Sequence, residues 1–516
     1  MKKTLFVYTA YFIWIGLLFS SCFKEIDIYL LEADPFLSFN QINCGFDSAR
    51  GIILAPVRKE MFPSFKPILY TNFRELTIGG ESYTSGDEVI FEKFEDSITI
   101  AFTTAIGQYY EGFIYFTTLP VIQIQCPDKI VDEPKIKSQL VISDYSQNPN
   151  GLVQSYDAGI EFRGRTAILK PKQSYNIELW SDSSGTQTKN ESILNMRDDD
   201  DWILDAMYID KARMRNKVSM DLWRDICELS NCENYYGKPY TESKYIELFI
   251  NLDYKGLYCL TERFDPKQLN IIESEGSIRG LLYKTEKWTN TTKFIELADT
   301  NTTEYWAGWE QKYPDPDEFS YWKPVYDFSD FVINSTDEEF EVSISDYLDL
   351  DNLVDYFIFI NTCQATDNMG TNMIYSRNDS NSTFIIYPWD LDASWGRDWE
   401  SNDLNHCWNI SNKYYERIHS MDINNYVSEL KDHWSLLRNE LISVEKLMLQ
   451  YQTNADLLKE SGAFRRERKR WPKMGSEIDE ELAYINSWTI KRLEFLDNLF
   501  NNFENKSLQE SITYDE

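Results

Sequence analysis

Apolar and polar positions alternate along the first part of the chain. "GIILAPV" (51–57), "FRELTIGG" (73–80), "DSITIAFTT" (96–104) and "YYEGFIYFTT" (109–118) each read as a short strand, with turn residues between them at roughly ten-residue spacing. That pattern predicts a small Ig-like β-sandwich over residues 30–118. From "LPVIQIQC" (119–126) the texture changes. Strands continue through "AGIEFRGRTAI" and "KQSYNIELW" (172–180), and helix-compatible apolar spacing follows Asp210. "KYIELFIN" (244–251), the turn "LDYKG" and "LYCLTER" (257–263) predict a hairpin closed near Gly256. Residues 286–345, with Pro314, Pro316 and Pro324, predict an irregular insertion. "DNLVDYFIFINTC" (351–363) predicts a buried helix capped by Asp351. Amphipathic helices are predicted near 425–450 and 476–501. Strands first, a hairpin in the middle and helices last make an α+β class.

Composition narrows the function. The chain has 516 residues, 42% of them hydrophobic and 15% aromatic, enough to bury a sizeable core. Its formal net charge of −33 excludes a dominant basic stripe, so no nucleic-acid partner is expected. The acidic run "RDDDD" (197–201) reads as a solvated loop. At the N-terminus, Met1-Lys2-Lys3 precedes an uncharged, mostly apolar stretch ending in "LFSSC". That architecture predicts a signal peptide over 1–21, and its end resembles a bacterial lipobox. Cys22 would become a diacylated N-terminus, followed by an acidic tether over 22–29, tying the protein to a membrane through lipid. The location expected is that of an outer-membrane lipoprotein, periplasmic or surface-exposed; a single membrane anchor is the alternative. Residues 506–516 read as a polar tail. The remaining cysteines are irregularly spaced and form no disulfide framework, although Cys227 and Cys232 are close enough in sequence to pair. Without a CxxC and with only three histidines, a zinc site is not expected, which leaves carboxylates and a hard cation.

The chemistry concentrates in "DNMGTNMIYSRNDSNSTFIIYPWDLD" (367–392). "NMIYS" and "TFIIYP" are strands, and "RNDSNS" between them is a turn by composition. A hairpin there returns the chain to its start, with strands about 5 Å apart. Asn372 enters the first strand and Asp390 leaves the second, so both meet, with Asp392 beside them and Asp367 just upstream. Phosphoryl transfer needs such a set: one carboxylate for the attacking hydroxyl, and an Asn and an Asp for Mg²⁺ on the nucleotide phosphates. On extended backbone Asp390 and Asp392 point oppositely, so both serve one site only if the chain bends. Trp389 reads as a core anchor for that loop. Candidate phosphate cations lie in "RGRTAILKPKQSYNIEL": Arg163, Arg165, Lys170 and Lys172, with Lys172 first because it opens a strand.

Five blocks in order resemble the CotH kinase family, the spore-coat-protein-H-like atypical protein kinases, here in a lipoprotein form with an N-terminal β-sandwich. They are "RGRT" with "KQSYNIEL", "DWILDAMYIDKARMRN", "YIELFINLDYKGLYCLTER", "ATDNMGTNMIYSR" and "PWDLDASWG". The resemblance covers about 119–500 and implies a kinase-like domain over 119–505 that uses ATP and Mg²⁺. It implies Asp367 as the catalytic acid–base residue, with Asn372, Asp390 and Asp392 as metal ligands. Lys172 and Arg163 would lie at the nucleotide phosphates, and Glu262 would sit near the nucleotide as a hinge or ion-pair partner. Arg215 and Asn216 would lie on a helix over the site. "RGRTA" lacks the small polar pair usual after Arg-Gly, and "LDYKG" replaces an Asn-Gly turn. Three classes of function remain. One is an exported kinase acting on Ser, Thr or Tyr of envelope or extracellular proteins. Another is a non-catalytic surface lipoprotein that uses the fold for binding or assembly. The third is a metal-dependent enzyme on another substrate.

Overall fold

The alternating segments at the start of the chain fold as strands. In the computed structural model, which describes residues 35–94, 97–145, 151–230, 237–274, 277–475 and 477–502, they form two antiparallel-rich sheets. The segments read as a signal peptide, a lipidated Cys22 with its tether, and a polar tail lie outside the described residues, as does Cys232. The chain divides into two compact units. One holds Met1–Ile160, Leu179–Lys189 and Ile246–Lys255; the other holds Glu161–Glu178, Asn190–Tyr245 and Gly256–Glu516.

In the first unit, a three-stranded sheet runs in the order Ile42–Asn43, Leu37–Phe39, Leu69–Thr71. A six-stranded sheet runs Gly45–Asp47, Ile52–Pro56, Tyr109–Thr117, Ile98–Thr103, Arg74–Ile78, Glu81–Tyr83, with one parallel pair, Ile52–Pro56 on Tyr109–Thr117. Inward-facing alternate residues, among them Phe39, Phe46, Phe91, Phe102 and Phe116, fill one core. The Phe73 and Phe102 rings stack at 3.8 Å. The strands Val121–Gln125 and Ile136–Asp144 extend this unit as an antiparallel pair.

The second unit carries the candidate chemistry. Its five-stranded antiparallel sheet has the order Tyr305–Trp306, Trp309–Tyr313, Leu281–Thr285, Met373–Arg377, Ile385–Pro388. The helix Leu350–Cys363 packs against the last strand and is buried over nearly its whole length, as expected of "LVDYFIFINTC". Asn352 on that helix donates Nδ2 to the Ile386 carbonyl and accepts the Ile386 N–H, which fixes the edge strand to the helix. The helices Tyr426–Glu440, Val444–Glu460, Ala463–Arg470 and Ile478–Asn501 complete the unit.

Several local expectations change. The hairpin expected to close at Gly256 turns instead at Asn251–Leu252, whose φ values of 51° and 59° match a two-residue turn with both centres left-handed. Gly256 lies inside the strand Asp253–Thr261. The helix at 350 is capped by Asp349, which accepts the Asn352 N–H, and Asp351 falls in its first turn. The helix read over 425–450 breaks after Glu440 and restarts at Val444 under a Ser443 cap, because that serine takes the Lys446 N–H. The stretch 286–345 is less irregular than its prolines suggest, with helices at Lys323–Asn334 and Asp337–Tyr347. "RDDDD" is not a solvated loop. Asp199 is buried, Arg197 pairs with Asp199 and Asp265, and Lys267 pairs with Asp200. Burial pushes the Asp199 carboxyl up to about 7, against the pull of Arg197.

Candidate active site

The hairpin forms as its composition predicts. Met373 stands opposite Pro388 and Ser376 opposite Ile385. Asn372 therefore comes one residue before the first pair and Asp390 two residues beyond it, at the same end of two paired strands. Both take φ of 57°, a left-handed conformation that Asn and Asp accept more readily than other side chains. At Asp390 this is the bend that lets alternate acids share a site. Leu391 turns into the core, while Asp390 and Asp392 both line one cleft.

Asp367 is brought to the same place by its turn. Its carbonyl accepts the N–H groups of Met369 at 2.8 Å and Thr371 at 2.9 Å. Next to it, Asn368 holds the Trp389 backbone through its side-chain amide. The Asn372 N–H donates to the Thr285 carbonyl at 2.8 Å, and the Met373 N–H to the Thr285 hydroxyl at 3.0 Å, so the loop is pinned to the neighbouring strand. The Trp288 ring lies directly on Gly370; a Cβ there would stand 2.4 Å from ring carbons.

An open cleft is lined in part by Asp205, Asp210, Asn216, Asp390, Asp392 and Arg163. Ile203, Met207, Met220 and Cys259 supply an apolar part of the wall. Asp205 and Asp210 were not singled out by sequence reasoning; both lie in the "DWILDAMYIDKARMRN" block, and their spacing carries no signal by itself. Asp210 also accepts the N–H groups of Met214 and Arg215 at 2.7 Å each, serving the start of the helix Arg215–Leu229. Asn216 accepts the Leu391 N–H at 3.1 Å and so fixes the bend between the two acids. Arg215 is structural: it is buried between Asp210 and Glu481.

The acids repel one another. Burial, reinforced by the Asp390 charge, pushes the Asp367 carboxyl up to about 6, while a hydrogen bond from Trp288 opposes the shift. Crowding by the cleft walls raises Asp390, and Arg163 and then Lys284 pull it back. Solvent still reaches Asp390, so its penalty is that of a narrow cleft and not of a sealed interior. Asp392 is driven well above the carboxylate range by burial and then by Asp390, Asp205, Asp210 and Asp367. Among the described residues no three His, Cys, Asp or Glu groups converge as a ready-made metal cage. Mg²⁺ needs no such cage, since it is held by one or two carboxylates with phosphates and water. Two cleft-lining acids in mutual repulsion, with the Asn372 amide at the paired strand end, fit that ion.

Lys172 and Glu262 lie elsewhere. Lys172 does not line the cleft. It is buried, and Nζ donates to Glu467 Oε1 at 2.6 Å and to the carbonyls of Ala206 and Leu257. All three donors are used, so the reading of Lys172 as the phosphate cation is not met by this geometry. Burial pushes its ammonium down to about 8, against the pull of Glu467. Glu262 is also buried and is an ion-pair partner: both its oxygens accept from Lys238, and it takes the N–H groups of Arg197 and Glu242. Arg163 does face the cleft, with its guanidinium 5.6 Å from the centre of the Trp389 ring. Trp389 is only half-buried; it packs edge-on against Phe264 at 5.8 Å, serving as wall as much as anchor.

The chain is 24% identical over 244 residues to the inner spore coat protein H of Bacillus subtilis (strain 168), spanning 47% of this chain and 60% of that one. Among solved structures it is similar to the Helicobacter pylori proinflammatory kinase CtkA, at 8% identity and a TM-score of 0.28, over 64% of this chain and 94% of that one. The family described as CotH kinase protein matches residues 160–496, which contain every cleft residue named above. The chain belongs to the CotH kinase protein family.

Proposed function

We propose that this chain is an exported atypical protein kinase. It transfers the γ-phosphate of ATP to Ser, Thr or Tyr hydroxyls of envelope or extracellular proteins, with Mg²⁺. The observation that carries this reading is the meeting of Asp367, Asn372, Asp390 and Asp392 at one end of one hairpin, beside an open cleft lined by acids and Arg163. Asp367 receives the proton of the acceptor hydroxyl. A carboxyl raised to about 6 is a stronger base than a free aspartate and stays largely ionised at pH 7. Asn372 and Asp390 are the ligands for Mg²⁺, and Asp392 supports them from deeper in the cleft. When bound, the dication neutralises charge on the β- and γ-phosphate oxygens. Arg163 faces the phosphates from the cleft wall, and Met207 and Met220 offer an apolar bed for the base.

We infer in addition that Cys22 carries lipid and holds the protein to the outer membrane. The lipobox-like "LFSSC" supports this, and loss of labelled palmitate in Cys22→Ser would test it.

The kinase reading is tested with labelled ATP and Mg²⁺ on the full chain. Autophosphorylation is expected in the native protein and none in Asp367→Ala or Asp390→Ala. Absence of ATP binding by calorimetry would overturn it in favour of a non-catalytic surface protein. Label arriving as AMP would point to nucleotidyl transfer instead.

A further inference from the structure

Glu286 sits between two cations beside the acid-lined cleft. Its Oε2 lies 2.5 Å from Lys284 Nζ, and its Oε1 lies 3.5 Å from Arg165 Nε. Lys284 is the penultimate residue of the central strand and Glu286 follows its last residue, so the two, two residues apart, leave the same face of the sheet. Lys284 belongs to the strand Leu281–Thr285, opposite Ile374 and therefore one strand away from the hairpin that ends at Asp390. Both residues act on Asp390: Lys284 favours its charged form and Glu286 opposes it.

This pair differs from ordinary surface pairs in the same chain. The Lys284 and Glu286 side chains are 15% and 17% exposed, whereas Arg165 is 43% exposed and lies over the Tyr305 ring at 5.2 Å. Burial raises the Glu286 carboxyl, but Lys284, Arg165 and Lys312 together outweigh it and hold the group ionised. A single carboxylate thus answers several cations at a place where Lys172, spent on Glu467, supplies none. A carboxylate held this way has the charge and acceptor geometry of one phosphate oxygen pair.

We propose that Glu286 is an internal stand-in for a nucleotide phosphate, holding Lys284 and Arg165 in position until a phosphate chain displaces it. Lys284 is then the cation that grips the phosphates, and Arg165, stacked on Tyr305, closes over them from the solvent side. The proposal rests on the kinase reading for the identity of the anion, but the anion site has its own test.

The sign of one substitution decides. If Glu286 competes with the ligand, Glu286→Gln frees two cations and tightens anion binding. If Glu286 is only a strut, the same change weakens binding or leaves it alone. Calorimetry on the full chain with Mg²⁺ and inorganic tripolyphosphate, and separately with Mg·ATP, reads this directly. We expect Glu286→Gln to bind both about five-fold tighter and Lys284→Met about ten-fold or more weaker. Circular dichroism serves as the folding control. Should Lys284→Met fail to fold, the direction of the Glu286→Gln effect still decides. Native affinity in both variants, weaker binding in Glu286→Gln, or no binding of either ligand by the native chain would overturn the proposal. Binding of both ligands in the expected order, with no phosphate transfer from ATP, would leave this anion site standing and overturn the kinase reading alone.

Discussion

Asn368 grips the backbone of Trp389 at two points: its Oδ1 accepts the Trp389 N–H at 3.1 Å, and its Nδ2 donates to the Trp389 carbonyl at 3.0 Å. Each partner is the chain neighbour of a site acid, Asp367 on one side and Asp390 on the other. The Tyr356 hydroxyl donates to the Asn368 carbonyl at 2.9 Å and holds the clamp against the buried helix. A two-point amide contact sets spacing as well as proximity. Asn368→Ala would leave two shielded backbone groups unpaired and cost about 1–3 kcal/mol in urea unfolding. Because it also loosens the Asp367–Asp390 spacing, phosphate transfer should fall about ten-fold or more. Full activity in a folded Asn368→Ala protein would show that the clamp does not set the site.

Asp367 carries a pH signature. Its folded-state carboxyl titrates near 6, whereas an unfolded aspartate releases its proton near 4. Between those values the folded state binds the extra proton, so this group makes the fold less stable as pH rises from about 4 to about 6. At neutral pH the cost persists, and Asp367→Asn should raise stability by on the order of 2 kcal/mol. The same variant should abolish phosphate transfer. In the native protein, the transfer rate should fall as pH drops through about 6, with one proton taken up. An acid limb near 4 would show that Asp367 is not the group being titrated.

Much of this site was legible before any fold was known, and the reasons are local. Asp367, Asn372 and Asp390 are linked by one hairpin, and hairpins are encoded by strand-forming runs and a turn of known composition. The bend at Asp390 was not legible. It depends on a left-handed φ and on Asn216, which is distant in sequence and bonds the Leu391 N–H. Lys172 misled for a related reason: opening a strand says nothing about which way an ammonium points or what awaits it. Its partner Glu467 lies 295 residues away, beyond any short-range pattern. Trp288 and Glu286 fell within a stretch read as irregular, because Pro314, Pro316 and Pro324 outweighed a weak strand signal. Four strands of the first unit's six-stranded sheet followed from alternation, whereas the short strands of its three-stranded sheet carry too few residues to show a period.

The Lys172–Glu467 pair supports the fold. Glu467 also takes the Leu257 N–H at 2.9 Å, and a Cβ on Gly256 would stand 2.1 Å from Glu467 Oε2, at a φ of 107°. The strand can approach this buried carboxylate only with glycine there. Removing Lys172 leaves the buried Glu467 carboxylate with Arg213 alone among the described cations, 3.6 Å away, so Lys172→Met should cost about 3 kcal/mol, and Gly256→Ala should be similarly damaging. Lys172→Met with Glu467→Gln should recover part of the loss. Differential unfolding of the single and double variants measures it. If Lys172→Met left stability untouched and removed Mg·ATP binding instead, Lys172 would be a nucleotide ligand after all.

Asp390 is the residue at which the proposed Mg²⁺ site can be tested apart from other roles in the cleft. It is the most exposed of the three acids, it is set by its own backbone bend, and Arg163 and Lys284 both favour its charged form. A dication there would relieve its repulsion with Asp392 and Asp367. ATP affinity of the native chain should therefore fall about ten-fold or more when EDTA removes Mg²⁺. In Asp390→Asn the affinities with and without Mg²⁺ should converge, because the neutral amide is a poor anchor for a hard cation. Asp392→Asn should weaken the metal response less and raise thermal stability, since it removes the acid that burial and neighbouring charges disfavour most. An equal Mg²⁺ response in native protein and Asp390→Asn would move the metal away from the hairpin end, and the assignment of Asn372 would fall with it.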